Sequence, residues 1–165
     1  MSERPRSLTL QFLAEPTDVN FGGKVHGGAV MKWIDQAGFA AAVGWSGRYC
    51  VTVAVGGIRF LAPVKISDLV SVSAMLVRTG RTSMQFAVDV RARSPLGGDD
   101  RLCTHCIIAF VAVDRETGAT LEVPSWAPAH DEDRKLYEYA EKVMELSKGI
   151  EATIARYAPT KSQPT

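Results

Sequence analysis

Residues 29–43 constrain the fold of this chain more than any other part of its sequence. This segment is rich in alanine, and Lys32 and Asp35 are its only ionisable residues. A helix that is apolar on nearly every side belongs in a protein core and not on a surface. We therefore expect the rest of the chain to enclose this helix, because a stable domain buries apolar faces between packed layers.

Five stretches of alternating apolar and polar residues are expected to form the enclosing layer. In the clearest of them, Ser83–Arg93, Met84, Phe86, Val88 and Val90 point one way and the intervening residues point the other. The other predicted strands cover residues 8–13, 50–61, 69–77 and 102–113. Hairpin turns are predicted at residues 79–82 and 94–100, where glycine or proline interrupts the alternation.

Beyond Pro124 the sequence changes to the pattern of a long amphipathic helix, at residues 131–157. Three acidic residues supply the negative charge favoured at its start, and its apolar stripe consists of Leu136, Tyr139 or Ala140, Val143, Leu146, Ile150 and Ile154. The elements together predict an α+β fold, with an antiparallel sheet of five to six strands wrapped around one central helix. We expect residues 1–124 to form the main domain, 125–157 a C-terminal extension and 158–165 a disordered tail.

Charge balance and cysteine placement argue against several classes of protein. The formal net charge is +1, which gives no electrostatic footprint for a nucleic acid or an anionic membrane. No signal peptide is recognisable and no apolar run reaches the roughly 20 residues that span a bilayer, so we expect a cytoplasmic protein. Cys103 and Cys106 resemble a metal motif, but side chains three apart in a strand point to opposite faces. With Cys50, they are expected to be reduced thiols, and no metal site is predicted.

Asp35 is the most informative residue of the predicted core helix. Burying an unpaired carboxylate carries a large free-energy cost, so Asp35 needs either partners or a function. From the residue alone two interpretations remain open. It is either a catalytic group, or a structural carboxylate that pairs with Lys32 or lies at the edge of the helix.

Gly27 and Gly28 favour the catalytic interpretation. Paired glycines at a helix start let a ligand approach backbone N–H groups that have no partner within the helix. Those donors and the helix dipole suit a developing oxyanion, although a plain loop-to-helix turn remains the alternative. Gly28 and Asp35 lie roughly 10 Å apart along one helix, whereas a reacting carbon needs contacts of roughly 3–3.5 Å to both. We therefore expect a symmetric dimer in which Gly28 of one chain faces Asp35 of the other.

A His-Gly-Gly triplet at residues 26–28 anchors a specific motif. An acid follows the histidine by nine residues and an asparagine precedes it by six. With all of residues 16–35, this motif resembles the signature of hotdog-fold acyl-CoA thioesterases, a family that includes bacterial thioesterases and the two-domain cytosolic acyl-CoA hydrolases of animals. The resemblance continues through residues 60–64, 80–83, 110–113 and 121–124 and into the charged helix. It implies the hotdog fold and hydrolysis of fatty acyl-CoA to a carboxylic acid and CoA.

The resemblance also implies roles for individual residues. Asp35 would be the general base that activates water, or a nucleophile that forms an anhydride. Asn20 would position water or substrate across the subunit interface, and the N–H groups of Gly27 and Gly28 would polarise the thioester carbonyl. His26 could hydrogen-bond in the site, although a loop histidine is more often structural and a loop asparagine more often caps a turn. No separate cofactor is expected, because coenzyme A is part of the substrate.

Binding of the CoA phosphates requires cations near strand ends and turns. The candidates are Arg59, Arg78, Arg81 and Lys65. The hairpin with Thr82 and Ser83 resembles the turn that contacts CoA in the family, and a solvated hairpin tip is the alternative. The acyl chain would bind apolar residues around the central helix, for which the candidates are Trp33, Phe39 and Phe60.

Two other functions are compatible with parts of this pattern. A hotdog hydratase would need a histidine paired with an aspartate, but His105 and His130 lie outside the helix-start motif. A non-catalytic acyl-CoA-binding protein would not need both Asn20 and Asp35. The family further implies a homo-oligomer in which a dimer is the catalytic unit, and a trimer of dimers is expected.

Overall fold

The computed structural model describes residues 4–158. Five antiparallel strands form one sheet in the order β1-β3-β4-β5-β2, which confirms the predicted α+β hotdog fold. The strands are β1 (Ser7–Leu13), β2 (Cys50–Phe60), β3 (Leu69–Thr79), β4 (Ser83–Arg93) and β5 (Arg101–Ala112), and the helices are α1 (Gly27–Ser46) and α2 (Asp131–Tyr157). A single 3₁₀ turn, Pro16–Asp18, precedes α1.

Helix α1 packs directly on one face of the sheet. A side chain at Gly38 would place its Cβ 2.7 Å from the ring of Phe110 and 3.2 Å from Ile108, so a glycine is needed where the helix crosses β5. The helix ends at Gly47, which adopts a left-handed conformation (φ 66°) and donates its N–H to the carbonyl of Val43 at 2.8 Å. This αL cap is a common way to end a helix before a strand.

The structure encloses α1 on one side only, so the expectation of a fully buried helix is wrong for a single chain. Trp33, Ile34 and Ala37 are buried, whereas the opposite face, with Met31 and Asp35 among its residues, is exposed. The five-stranded sheet covers one face of the helix and ends at the unpaired edge of β2, so no strand covers the opposite face. The exposed face carries the apolar Met31 and Phe39 beside the polar Lys32, Asp35 and Gln36.

Helix α2 covers the other face of the sheet, but only with its first half. Ala140 is fully buried in a second small core with Val77, Ala87 and Ile107. A Cβ at Gly56 of β2 would meet the side chains of Val143 and Ser147 at 2.8 and 2.7 Å, which shows how closely α2 approaches that strand.

The second half of α2 leaves the predicted apolar stripe uncovered. Leu146, Ile150 and Ile154 are 71%, 60% and 57% exposed, and every residue from 148 to 158 is exposed. Ile150 borders a shallow cavity with residues 53–55 of the edge strand β2, but the strand does not cover its side chain. The predicted apolar stripe is present on α2, and within one chain it is packed on the sheet as far as Val143.

The two neighbouring cysteines of β5 depart from the predicted alternation. Cys103 and Cys106 both lie in the main core cluster, whereas strict alternation places them on opposite faces. A register shift between β4 and β5 at Val90 and Arg91 breaks the alternation at this point. All three cysteines are free and buried.

Some predictions concern residues outside the described range. Residues 159–165 of the predicted tail, and residues 1–3 of the segment inspected for a signal peptide, lie outside the described residues. Within residues 4–158, neither helix combines the length and apolarity that crossing a membrane requires. The cytoplasmic location stays a prediction.

Candidate active site

The start of α1 presents two glycines in different surroundings. A Cβ at Gly28 would meet nothing within 4 Å, so this position is open to a ligand. A Cβ at Gly27 would lie 3.3 Å from the ring of Phe60, so Gly27 packs against an aromatic side chain. N–H groups in the first turn of a helix have no acceptor within the helix. The open surface at Gly28 therefore makes its N–H the better placed donor for an anionic oxygen.

His26 precedes α1 and holds its position through the backbone. Its N–H donates to the carbonyl of Asp18 at 2.8 Å, and its carbonyl accepts from the N–H groups of Ala29 and Val30. The imidazole is exposed, and no hydrogen bond from it caps the helix. The side chain is therefore free to contact a ligand, while the backbone fixes the turn.

Asn20 lies in a tight turn in which its side-chain amide oxygen is a hydrogen-bond acceptor. Its Oδ1 accepts from the N–H groups of Gly22 (2.9 Å) and Lys24 (3.3 Å), so the turn-capping interpretation is correct for this atom. The backbone closes the same turn, because the N–H of Asn20 donates to the carbonyl of Lys24 at 2.7 Å. Since the oxygen is engaged, the two N–H groups on Nδ2 remain for a ligand.

The partner of Asp35 is Thr52, a residue that the sequence did not single out. The Thr52 hydroxyl donates to Oδ1 of Asp35 at 2.5 Å. The described residues contain no ion pair between Lys32 and Asp35 within 4.0 Å, so the structural interpretation that relied on Lys32 is wrong. In the sequence, Thr52 is recognisable as a hydroxyl residue between Val51 and Val53 in a predicted strand. The sequence alone does not show which residue of the helix that strand faces.

Two cavities flank the N-terminal part of α1. One, of about 540 Å³, is bordered by Gly28, Lys32 and Asp35, and its apolar lining consists of Met31, Ile34, Val55, Ile58 and Ile108. The other, of about 420 Å³, contains Asn20, Gly27 and Phe60. One chain therefore places Asn20 and Asp35 in separate cavities, and neither cavity holds both polar groups.

The three predicted acyl contacts occupy different environments. Trp33 is buried and stacks on Phe12 at 5.4 Å, so it packs the core and lines neither cavity. Phe39 lies on the exposed face of α1, edge-on to Tyr49 at 6.2 Å, outside both cavities. Phe60 borders the cavity of Asn20. The aliphatic residues that β2 and β5 bring beside Asp35 were missed because they are distant from it in sequence.

The predicted CoA-binding cations do not converge within one chain. Arg78 is engaged by α2, since it pairs with Glu141 at 3.2 Å and lies over the ring of Tyr137 at 5.5 Å. This placement argues against Arg78 as a phosphate ligand. Arg81 is exposed at the β3–β4 hairpin, 3.5 Å from Glu122, beside the half-buried Thr82 and Ser83.

The two remaining cations lie on other elements. Arg59 is exposed on β2 in register with His105 of β5, and Lys65 is exposed beside the turn of Asn20, where it forms an antiparallel bridge with Lys24. Lys65 is thus the predicted cation nearest to the cavity of Asn20.

A histidine–aspartate pair exists, but it lies on the far side of the sheet from Asp35. Nδ1 of His105 is 2.5 Å from Asp89, and its ring lies 5.5 Å from that of Tyr139 on α2. His130 precedes α2 as its cap residue. Neither histidine shares a cavity with the N-terminus of α1, so the arrangement that a hydratase needs is not formed there.

The cysteine thiols are poor nucleophiles in this fold. Burial raises the pKa of Cys106 to about 12 and raises the pKa of Cys50 and Cys103 in the same direction. A thiol reacts as its thiolate, so a raised pKa suppresses its reactivity. In the described part of the chain, no cluster of three His, Cys, Asp or Glu side chains is arranged to hold a metal ion.

Comparison with known proteins places this geometry in a family. The model of the thioesterase superfamily matches residues 22–98. The acyl-CoA thioester hydrolase YciA of Escherichia coli is 35% identical over 113 residues, which cover 66% of this chain and 85% of the relative.

Solved structures agree with the sequence match. An apo-hexameric acyl-CoA thioesterase is 30% identical with a TM-score of 0.82, covering 89% of this chain and 94% of its own. The acyl-CoA hydrolase of Staphylococcus aureus, solved with butyryl-CoA and CoA, is 26% identical with a TM-score of 0.81 and 92% coverage of both chains. The predicted family and the predicted enzyme class, a thioester hydrolase, are thereby confirmed. The chain belongs to the acyl-CoA thioester hydrolases of the thioesterase superfamily.

Proposed function

We propose that this enzyme hydrolyses fatty acyl-CoA at a site built from two chains, with Asp35 as the group that activates water. The observation that carries the proposal is the 2.5 Å hydrogen bond from Thr52 to Asp35 at the rim of an apolar cavity. The bond holds one carboxylate oxygen in place. The other oxygen, Oδ2, is left to accept a proton from water.

The spacing of three residues supports the same assignment. Structures exist of S. aureus acyl-CoA hydrolase variants in which an asparagine, an aspartate or a threonine is replaced by alanine, at 25% identity to this chain. The aspartate of that enzyme follows the asparagine by 15 positions and precedes the threonine by 17. Asn20, Asp35 and Thr52 repeat both intervals.

The proposed reaction assigns a task to each polar group. Water attacks the thioester carbonyl carbon while Oδ2 of Asp35 takes its proton, and the carbonyl oxygen gains negative charge. The N–H of Gly28 and the positive end of the α1 dipole stabilise that oxygen, and Nδ2 of Asn20 orients the water or the carbonyl. The carbon–sulfur bond then breaks, and the sulfur leaves as CoA thiol with the proton returned from Asp35.

A second route uses the same carboxylate. Asp35 could attack the carbonyl carbon directly and form an anhydride, which water then cleaves. Both routes release one carboxylic acid and one CoA, and neither requires a cofactor beyond the coenzyme A of the substrate. Incorporation of ¹⁸O from labelled water into Asp35 during a single turnover would indicate the anhydride route.

The cavity beside Asp35 suits an apolar chain. Its lining by Met31, Val55, Ile58 and Ile108 is aliphatic, and burial of each CH₂ group of an acyl chain contributes about 0.8 kcal/mol. We propose these residues as acyl contacts in place of Trp33. For the CoA phosphates we retain Lys65, Arg59 and Arg81, because their side chains are exposed.

We further propose that a dimer is the catalytic unit and that dimers assemble further. One chain leaves Asn20 and Asp35 in separate cavities, and it exposes both the open edge of β2 and the apolar residues of α2 beyond Val143. The structural neighbour described above is hexameric. A trimer of dimers therefore remains our expectation for this chain.

The experiment compares wild type with Asp35→Asn and Asp35→Ala on a panel of straight-chain acyl-CoAs, with thiol release as the readout. We expect both variants to lower kcat by about 10²–10⁴ through loss of general-base action. Retained binding of CoA would show that the site is intact. Rates within a few-fold of wild type would contradict the proposal, and acyl-CoA binding without hydrolysis by wild type would favour a binding protein.

A further inference from the structure

Asp68 and Arg101 form an enclosed ion pair that the proposed reaction does not use. The Asp68 side chain is 8% exposed and that of Arg101 is 27% exposed. Desolvation makes a buried ion pair costly unless further hydrogen bonds satisfy both partners. The contacts of this pair therefore indicate what it holds.

Both partners hold the same short segment, residues 63–65. Arg101 donates from Nε and Nη2 to the carbonyl of Pro63, each at 3.1 Å. The Asp68 carboxylate accepts the N–H of Lys65 at 2.8 Å while it pairs with Arg101. The segment is thus fixed at both ends by one planar guanidinium and one carboxylate.

This segment is the surface on which the turn of Asn20 is built. The N–H of Val25 donates to the carbonyl of Val64 at 2.9 Å, and Lys24 pairs with Lys65 as an antiparallel bridge. Lys24 in turn accepts from the N–H of Asn20 and donates to its Oδ1. A continuous set of hydrogen bonds therefore joins the ion pair to the amide of Asn20.

We infer that Asp68 and Arg101 are positioning residues for catalysis, which act by fixing residues 63–65 and, through them, Nδ2 of Asn20. The inference rests on the role proposed for Asn20. A displacement of about 1 Å at a catalytic group can cost about 10²-fold in rate. A shift of the Asn20 turn lowers kcat, and KM rises with it, because the same segment carries Lys65, a proposed contact of the CoA phosphates.

The test uses conservative substitutions that weaken the contacts of Asp68 and Arg101 with residues 63–65. Arg101→Lys retains a cation beside Asp68 but loses the planar fork, and Asp68→Asn retains an acceptor for Lys65 but loses the charge. The matched control is Asp100→Asn, which removes the charge of the exposed Arg91–Asp100 pair (2.7 Å), a contact between β4 and the residue before β5. Each variant is made in the wild-type and Asn20→Ala backgrounds, and kcat, KM and Tm are measured.

We expect Arg101→Lys and Asp68→Asn each to lower kcat about tenfold, with some rise in KM from the shift of Lys65, and Asp100→Asn to have the wild-type kcat and KM. In the Asn20→Ala background, the same two substitutions should have no further effect on kcat, because the group that they position is already absent.

Three results would overturn the inference. If the two substitutions lower kcat by the same factor in the wild-type and Asn20→Ala backgrounds, the pair acts on something other than Asn20. If they leave kcat unchanged in the wild-type background, the Asn20 turn keeps its position without the pair. Unfolding of both conservative variants at the assay temperature would show that the pair maintains the fold rather than the turn. If Asn20→Ala alone leaves kcat unchanged, the role proposed for Asn20 in catalysis is wrong. That result can be told apart from failure of the positioning inference, in which Asn20→Ala lowers kcat but the effects of the substitutions add.

Discussion

The hydroxyl of Thr52 donates to the carboxylate of Asp35 across the contact between β2 and α1, at 2.5 Å. This bond joins a strand residue to a helix residue that precedes it by 17 positions. It fixes the rotamer of an exposed carboxylate, which would otherwise sample several orientations toward solvent. The geometry gives Thr52 a task that a valine of similar shape cannot perform.

Thr52→Val should therefore lower kcat, while Thr52→Ser should keep most of the activity. The expected loss for valine is roughly 10- to 100-fold, because a hydrogen bond to a charged group contributes about 1.5–3 kcal/mol. Steady-state thiol release measures the effect. Equal rates for the valine and serine variants would show that the hydroxyl does not hold Asp35 during catalysis.

Mixed dimers test whether Asn20 and Asp35 of different chains form one site. Chains with Asn20→Ala and chains with Asp35→Ala are co-expressed under different affinity tags, and heterodimers that carry both tags are purified after any larger assembly has been dissociated into dimers. If the site is shared, each heterodimer has one site with both residues intact and one with neither. Its activity should then reach about half that of wild type, as two-fold symmetry requires.

The homodimers of each variant serve as the controls for this exchange. A site formed within one chain would leave one residue missing from every site. The heterodimer would then stay as slow as the homodimers, and the shared-site proposal would be wrong.

Gly38 should tolerate no side chain, because α1 approaches the sheet most closely there. A Cβ would lie 2.7 Å from the Phe110 ring, and overpacking of this kind costs about 1–3 kcal/mol. We expect Gly38→Ala to lower the free energy of unfolding by that amount in denaturant titrations. Gly44 of the same helix is the matched control, since a Cβ there would meet only Pro5, at the ordinary contact distance of 3.5 Å. Gly44→Ala should be neutral or should stabilise the helix by up to about 1 kcal/mol.

Asp133 should make folding stability depend on pH at the acidic end. The contact with the Arg6 guanidinium, an ion pair at 2.7 Å, holds the pKa of Asp133 below the ordinary value of an aspartate. A carboxylate with a lowered pKa in the folded state stabilises the fold at pH values above its unfolded pKa. This contribution is lost as pH falls through the folded pKa.

The measurement compares Tm of wild type and Asp133→Asn between pH 7 and pH 2.5. Wild type should be the more stable protein at pH 7, and the difference should close below about pH 4, where aspartates begin to protonate. Asp131→Asn is a suitable control, because its side chain is 88% exposed. A difference in Tm that stays constant across this range would contradict the assignment.

The sequence predicted most of the fold because its local patterns agree with one another. β4 and α2 have the predicted bounds, and the other elements differ from prediction by no more than three residues at either end. Period-two alternation and an alanine-rich apolar segment are local properties, so they are readable without knowledge of the tertiary contacts. The spacing of Asn20, Gly28 and Asp35 in the motif was also sufficient to predict the family.

Two residues that the sequence proposed as ligand contacts make packing contacts that the sequence did not predict. Arg78 was a candidate for phosphate binding, yet Glu141 and Tyr137 of α2 engage its guanidinium. Trp33 was a candidate for acyl binding, yet it stacks on Phe12 of β1. The charge and shape of a side chain limit the groups that it can contact. The packing of elements distant in sequence determines which of those contacts it makes.

The sequence by itself determined the elements, the α1 motif and the chemistry available to Asp35. Tertiary structure alone decided that Thr52 is the partner of Asp35, that Asn20 and Asp35 open into different cavities of one chain, and that the exposed face of α1 stays uncovered. The reason is that each of these features depends on which residues of distant segments face one another. Strand register and the packing of α1 on the sheet set that pairing, and both depend on the whole sheet.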